Sequence, residues 1–186
     1  MLPNPYAIVA EDFNNDGKLD LAIVNTGDNT VTLLLGKGDG TFTPASGSPY
    51  PFPSGASAIA VADFNGDGKL DLAVVDGYEN TLTILLGNGD GTFTISTTYP
   101  TGLNPDAIVA VDFNNDGKLD LAIANSGDST VEIYLGSGNG TFTKSAGSPY
   151  PAGGTPYAIT AADFNGDGKL DLAVGTANGV TILLQQ

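Results

Sequence analysis

The sequence predicts an all-β fold: a β-propeller built of four antiparallel four-stranded blades, the last lacking its outer strand. Three observations lead there. A nine-residue motif recurs four times, each complete repeat holds four short apolar runs separated by turn residues, and the prolines gather between repeats. The motif runs from Asp12 to Asp20 and returns at Asp63–Asp71, Asp112–Asp120 and Asp163–Asp171, at spacings of 51, 49 and 51 residues. Copies one and three read Asn-Asn-Asp-Gly at their centre, whereas two and four read Asn-Gly-Asp-Gly, so a two-repeat unit is itself duplicated at an offset of 100.

None of the runs has the 3.6-residue period of an amphipathic helix. The first is small and apolar (7–10, 58–61, 107–110, 158–161), suited to the crowded innermost position. The second follows the Asp-rich motif, as in 19–24. The third covers 30–35, 81–86, 130–135 and 180–184, and the fourth opens at 40–43, 91–94 and 140–143. Runs two and three are apolar on both faces, as strands sandwiched between neighbouring sheets should be. Glycines in 36–40, 87–91 and 136–140 are expected to supply the positive φ of tight hairpins. All eleven prolines lie in 3–5, 44–53, 100–105 and 149–156, outside the runs, where a residue without an N–H costs no ladder bond. The reading is one domain over 1–186, with blades at about 1–50, 51–100, 101–150 and 151–186 and fifteen strands in all. A β-solenoid fits less well, because its repeats run nearer 20–30 residues.

Twenty-one acids face six lysines, with no Arg and no His, for a net charge of −15 and a pI near 4.1. Such a surface repels phosphate, which excludes nucleic acid as a partner and argues against anionic membranes. Glycine and proline are abundant, at 26 and 11, yet 41% hydrophobic and 15% charged residues are too apolar for a disordered chain. Without Cys or His there is no Ser-His-Asp or Cys-His nucleophile, thiol redox chemistry or His/Cys zinc site. Asp, Glu, Tyr and Lys remain as acids and bases but show no pairing outside the motif loops, so the chain is not expected to be an enzyme. No charged-then-apolar leader and no run of 18 apolar residues is seen, so neither a signal peptide nor membrane insertion is expected. Met1, the only methionine, fits a start codon set on a mature segment.

The motif reads D-x-N-x-D-G-x-x-D, the donor chemistry of a hard cation. Calcium takes six to eight oxygens, and a tight loop offers side chains at alternate positions, one carbonyl, and a Gly at the sharp turn. In the first copy Asp12, Asn14 and Asp16 stand at positions 1, 3 and 5, the Lys18 carbonyl at 7, and Asp20 closes the set at 9. The corresponding sets are Asp63, Asn65, Asp67, Lys69 and Asp71; Asp112, Asn114, Asp116, Lys118 and Asp120; and Asp163, Asn165, Asp167, Lys169 and Asp171. Turn formation alone would explain Asn-Asp-Gly but not three mutually repelling carboxylates retained in every copy. Four Ca²⁺, one per blade, are expected, with magnesium disfavoured by its preference for retained water. Phe13 and Leu19 are the expected apolar anchors of the loop. The Gly-rich turns between runs three and four are read as hairpin chemistry. Tyr50, Tyr99 and Tyr150, once per crossover, are read as packing residues rather than a sugar-stacking platform, while Tyr6 and Tyr157 stay open.

The combination D-F-N-x-D-G-K-L-D-L-A, a Thr-rich strand and L-L-G-x-G-D-G-T-F resembles the FG-GAP / VCBS repeat family, whose best-known members form the N-terminal propeller of integrin α chains. The resemblance implies that each loop joins the first two strands of a blade and binds calcium through the positions named above. It implies an extracellular or cell-surface module serving adhesion, ligand binding or structure, with a carbohydrate-binding lectin as the alternative. Protein and carbohydrate both remain open as the ligand. The family usually has seven blades and this sequence has four. A ring closed by four blades, a homodimer completing an eight-bladed ring, and a piece of a longer array are therefore all open. Three Asp in each of four loops account for twelve of the 21 acids, and four Ca²⁺ would move the net charge from −15 to −7.

Overall fold

A computed structural model describes residues 4–185; the readings placed on Met1, Pro3 and Gln186 lie outside them. The described residues form seventeen strands in four antiparallel sheets, with no helix. The first sheet contains β1 (Pro5–Glu11), β2 (Asp20–Asn25), β3 (Thr30–Gly36), β4 (Phe42–Pro44) and β5 (Tyr50–Pro51). The second contains β6 (Ala56–Ala62), β7 (Asp71–Asp76), β8 (Thr81–Gly87) and β9 (Phe93–Pro100). The third contains β10 (Pro105–Val111), β11 (Asp120–Asn125), β12 (Thr130–Gly136), β13 (Phe142–Lys144) and β14 (Tyr150–Pro151). The fourth contains β15 (Pro156–Ala162), β16 (Asp171–Thr176) and β17 (Gly179–Leu183). Each is a meander, so the expected order within a blade holds, and the fourth sheet has three strands as expected.

Seventeen strands rather than fifteen arise because the fourth strand is split in sheets one and three, where β4 and β5 both pair with β3, and β13 and β14 both pair with β12. The cause is the Gly-Ser-Pro insertion at 47–49 and 147–149. Gly47 and Gly147 turn at φ 76° and 90°, and the proline that follows has no N–H for the ladder. The ladder donors left over are recovered locally. Leu33 N–H donates to Ser48 Oγ at 2.9 Å, and Ile133 N–H to Ser148 Oγ at 3.0 Å. In the second sheet Ile95-Ser-Thr-Thr runs straight through, and β9 is continuous with one bulge. The prolines are also nearer the strands than expected. Pro5, Pro105 and Pro156 open inner strands beside a bulge, and Pro44, Pro51, Pro100 and Pro151 close outer ones, all at strand ends where no central ladder bond is lost.

The inner strands stack in chain order, β1 on β6, β6 on β10 and β10 on β15. Three apolar clusters fill the three gaps between successive sheets. The first joins Phe13, Val24 and Leu33 to Leu72, Val74 and Phe93, the second joins Phe64 and Ile84 to Ile123 and Phe142, and the third joins Phe113 and Val131 to Leu172 and Val174. Among the described residues no fourth cluster joins the last sheet to the first, so the stack is an open, propeller-like arc.

The open ends correct one anchor. Leu70, Leu119 and Leu170 pack against these clusters, whereas Leu19 is 62% exposed because among the described residues no sheet packs on its side of the first. At the other end Phe164 is 46% exposed, while Phe13, Phe64 and Phe113 are buried.

Candidate metal centres

Each Asp-rich loop joins the first two strands of its sheet. Its shape follows from two left-handed residues. Asn15, Gly66, Asn115 and Gly166 have φ of 58°, 75°, 57° and 80°, followed by Gly17, Gly68, Gly117 and Gly168 at 80–84°. Asn and Gly are the residues that adopt this region most readily, which accounts for the Asn/Gly alternation between copies.

The side chains then fold over their own backbone. Asp12 accepts from the N–H groups of Asp16 (3.1 Å) and Gly17 (2.7 Å), Asn14 Oδ1 from Asp16 N–H (3.0 Å), and Asp16 Oδ1 from Lys18 N–H (3.0 Å). The same bonds recur from Asp63, Asn65 and Asp67, from Asp112, Asn114 and Asp116, and from Asp163, Asn165 and Asp167. The lysine side chains reach back. Lys18 Nζ lies 3.2 Å from Asp16 Oδ2, and Lys69 and Lys118 lie 3.5 Å from Asp67 and Asp116. The Lys18 hydrogen bond holds the Asp16 carboxyl below its ordinary range, and the Gly168 N–H does the same for Asp163. Lys169 contributes its backbone N–H to Asp167 at 2.9 Å.

Position 9 differs. Asp20, Asp71 and Asp120 are fully buried and Asp171 is 1% exposed. Asp20 takes Phe13 N–H on one oxygen (3.0 Å) and Gly36 N–H on the other (2.8 Å), sewing the loop to the end of β3. Asp71 does this with Phe64 and Gly87, Asp120 with Phe113 and Gly136, and Asp171 with Phe164 and Gln185. Burial pushes the carboxyls of Asp71 and Asp120 up, and the charges at positions 5 and 1 of the same loop push in the same direction. In these two loops the acids therefore sense one another. Among the described residues, however, no three acidic side chains converge into a ready-made cage.

The sequence reading missed the glycine partner of position 9. Gly36, Gly87 and Gly136 lie outside the positive-φ set and serve close approach instead. A Cβ on any of them would stand 2.0–2.1 Å from the backbone oxygen of Leu19, Leu70 or Leu119. The sequence signal was the Gly closing each Leu-rich third strand. Gly38 and Gly40, at 79° and 84°, are the hairpin glycines. Tyr50 and Tyr99 have the packing role expected of them, accepting the N–H of Phe93 (2.8 Å) and Phe142 (2.9 Å) on their phenol oxygens.

The donor set suits a hard cation. It is all oxygen, and a carboxylate oxygen that accepts one N–H retains a second lone pair. Positions 1, 3 and 5 lie in exposed or half-exposed loop, open to an ion.

The FG-GAP-like repeat pattern matches residues 12–74, 63–123 and 112–174. No curated protein matches the chain. Among solved structures, BBS1N in a complex with ARL6DN superposes with a TM-score of 0.68 at 16% identity, over 100% of this chain and 59% of that one. An auxiliary nutrient binding protein from Bacteroides ovatus gives 0.63 at 11%, over 95% and 47%. The rhamnogalacturonan lyase PL11 of Bacillus licheniformis gives 0.58 at 19%, over 97% and 40%. These likenesses carry the propeller-like fold alone, and the chain spans 40–59% of the length of these proteins.

Proposed function

The chain belongs to the FG-GAP-like repeat family, and on that basis we propose that it is a calcium-binding, protein-binding module of an extracellular or cell-surface protein. The observation that supports calcium is the fourfold recurrence of one loop in which Asp, Asn and Asp fold inward in the same hydrogen-bond pattern. In the first loop Asp12, Asn14, Asp16, Asp20 and the Lys18 carbonyl would hold the ion, with their equivalents in the other three. Bound calcium supplies the charge that relieves repulsion among three carboxylates. The chain's own part is to hold positions 1, 3 and 5 pre-folded on backbone N–H groups and to fix position 9 in the core, so that the ion closes a loop already tied to two strands.

At calcium tenfold above Kd, each site stabilises the fold by about 1.4 kcal/mol. Four together are comparable with the marginal stability of a typical domain. Melting in calcium and in chelator tests this: a transition about 10–20 °C higher in calcium at that concentration is expected, and one that does not move refutes it. A protein ligand is the reading that membership of the repeat family supports, and pull-down from extracellular fractions with and without calcium tests it: capture of one protein in stoichiometric amount is expected, and capture of none refutes it.

A further inference from the structure

The four Asp-rich loops differ in one residue that takes no part in holding an ion. After the position-3 asparagine comes Asn15 or Asn115 in loops one and three, and Gly66 or Gly166 in loops two and four. All four residues hold a left-handed φ between 57° and 80°, which either residue type adopts, so conformation alone does not choose between them. Chemistry separates them. Asparagine is a thermolabile residue, and when glycine follows it no Cβ obstructs attack by the next backbone nitrogen on the side-chain amide carbon.

Loops two and four hold both groups that assist such an attack. Gly66 N–H donates to Asp63 Oδ1 at 2.7 Å, so the proton on the attacking nitrogen already points at a carboxylate. Asn65 Oδ1 accepts Asp67 N–H at 2.9 Å, a donor placed where negative charge develops on the amide oxygen. In loop four Gly166 N–H donates to Asp163 Oδ1 at 2.6 Å, and Asn165 Oδ1 accepts Asp167 N–H at 2.9 Å. The departing Asn165 Nδ2 is itself bonded to Asp167 Oδ2 at 3.1 Å. Asn14 and Asn114 accept the N–H of Asp16 and Asp116 in the same way, but among the described residues the N–H of Asn15 or Asn115 meets no carboxylate. The Asn-Gly pairs of the hairpins lack the arrangement too. Gly140 N–H, after Asn139, is taken by the Phe64 carbonyl at 2.9 Å, and Asn88 Oδ1 accepts only the Thr94 hydroxyl, at 3.5 Å.

We propose that Asn65 and Asn165 are self-modification sites, deamidated by their own loops to aspartate and isoaspartate. The Gly66 nitrogen bonds to Asn65 Cγ while its proton passes to Asp63. The bond from Cγ to the side-chain nitrogen then breaks, that nitrogen takes the proton back from Asp63, and ammonia leaves a five-membered succinimide. Water, which reaches the exposed Gly66 and Gly166, adds to one of the two imide carbonyls and opens the ring. The net change is amide plus water to carboxylate plus ammonium, with no oxidation. Opening at Cγ gives aspartate, a fourth carboxylate in a loop that holds three. Opening at the main-chain carbonyl gives isoaspartate, which lengthens the backbone by one carbon inside a loop fixed at both ends. Loops one and three are thereby permanent and loops two and four age, so the duplicated two-repeat unit pairs one loop of each kind. The step itself does not depend on the calcium reading. Asp63 and Asn65 Oδ1 are also proposed ligands, so filling that site withdraws both from the step, and this protection alone rests on that reading.

The test ages the full folded chain in warm neutral buffer, with chelator and with calcium, and maps aspartate and isoaspartate at each asparagine by peptide mass spectrometry. In chelator, conversion at Asn65 and Asn165 is expected to be at least about tenfold faster than at Asn14 and Asn114, and faster than at Asn88 and Asn139. In urea the advantage over Asn88 and Asn139 should vanish, because the folded loop supplies it. Asp63→Asn should slow conversion at Asn65 at least about tenfold, with Asn165 in the same chain as the unchanged reference. Gly66→Asn, which installs the residue of loops one and three, should bring Asn65 down to the rate of Asn14 while circular dichroism shows the fold retained. Conversion at Asn65 and Asn165 no faster than at Asn139 in the folded chain, or a rate at Asn65 that Asp63→Asn leaves unchanged, would overturn the proposal. Conversion that keeps these differences but is not slowed by calcium supports it and counts against the calcium reading alone.

Discussion

Replacing Asp71 by Ala separates what a buried acid does for the fold from what it does for an ion. Its two carboxylate oxygens accept the N–H groups of Phe64 at 2.9 Å and Gly87 at 2.8 Å, and the residue has no exposure. Truncation leaves two buried donors without partners, at about 1–3 kcal/mol each, so a loss of about 2–6 kcal/mol is expected even with chelator present. At about 2–4 °C per kcal/mol for a chain of this size, the melting temperature should fall by about 4–24 °C. Asp63→Ala removes an acid from the exposed part of the same loop, and its cost should appear chiefly when calcium is present. Urea unfolding of both variants in chelator and in calcium gives the four numbers. If Asp71→Ala costs less than about 1 kcal/mol in chelator, the two hydrogen bonds do not hold the loop to β8 as argued.

Three further outcomes follow from the geometry. Gly87→Ala places a Cβ 2.1 Å from the Leu70 carbonyl oxygen and should destabilise by about 2–4 kcal/mol in chemical denaturation, whereas Gly68→Ala meets no atom within 4 Å and pays only for its positive φ. Tyr99→Phe removes the acceptor of Phe142 N–H and should cost about 1–2 kcal/mol in the same assay, with the strand pairing of β13 loosened in amide exchange. Leu19→Ser should change stability by no more than about 0.5 kcal/mol, while Leu119→Ser, packed against the second cluster, should cost at least about 1 kcal/mol.

Much of this architecture was legible because it is written in contiguous patterns. The Asp-Phe-Asn spacing, the paired Leu-rich runs and the Gly-rich turns each sit within a few residues of one another, and four copies made the period unmistakable. What escaped the sequence depends on contacts between distant residues. Asp71 pairs with Gly87, sixteen positions away, so the sequence alone reads position 9 as one more ligand, whereas the structure shows it as the bolt between loop and hairpin. Leu19 and Leu119 stand in identical motifs, yet one is exposed and the other packed, because only the second has a sheet on the preceding side. The split of the fourth strand turned on whether Gly-Ser-Pro or Ile-Ser-Thr-Thr follows the Thr-Phe-Thr start, a local signal whose effect on pairing shows only once β3 and β12 are alongside.

The most direct measurement of the central claim is the calcium stoichiometry of the chelator-stripped chain by calorimetric titration, repeated with Asp12→Ala and Asp163→Ala. The account predicts four ions per chain, three for either single variant and two for the pair, with the melting temperature rising as the sites fill. Absence of saturable calcium binding, or a stoichiometry that Asp12→Ala and Asp163→Ala leave unchanged while the chain remains folded, would contradict it.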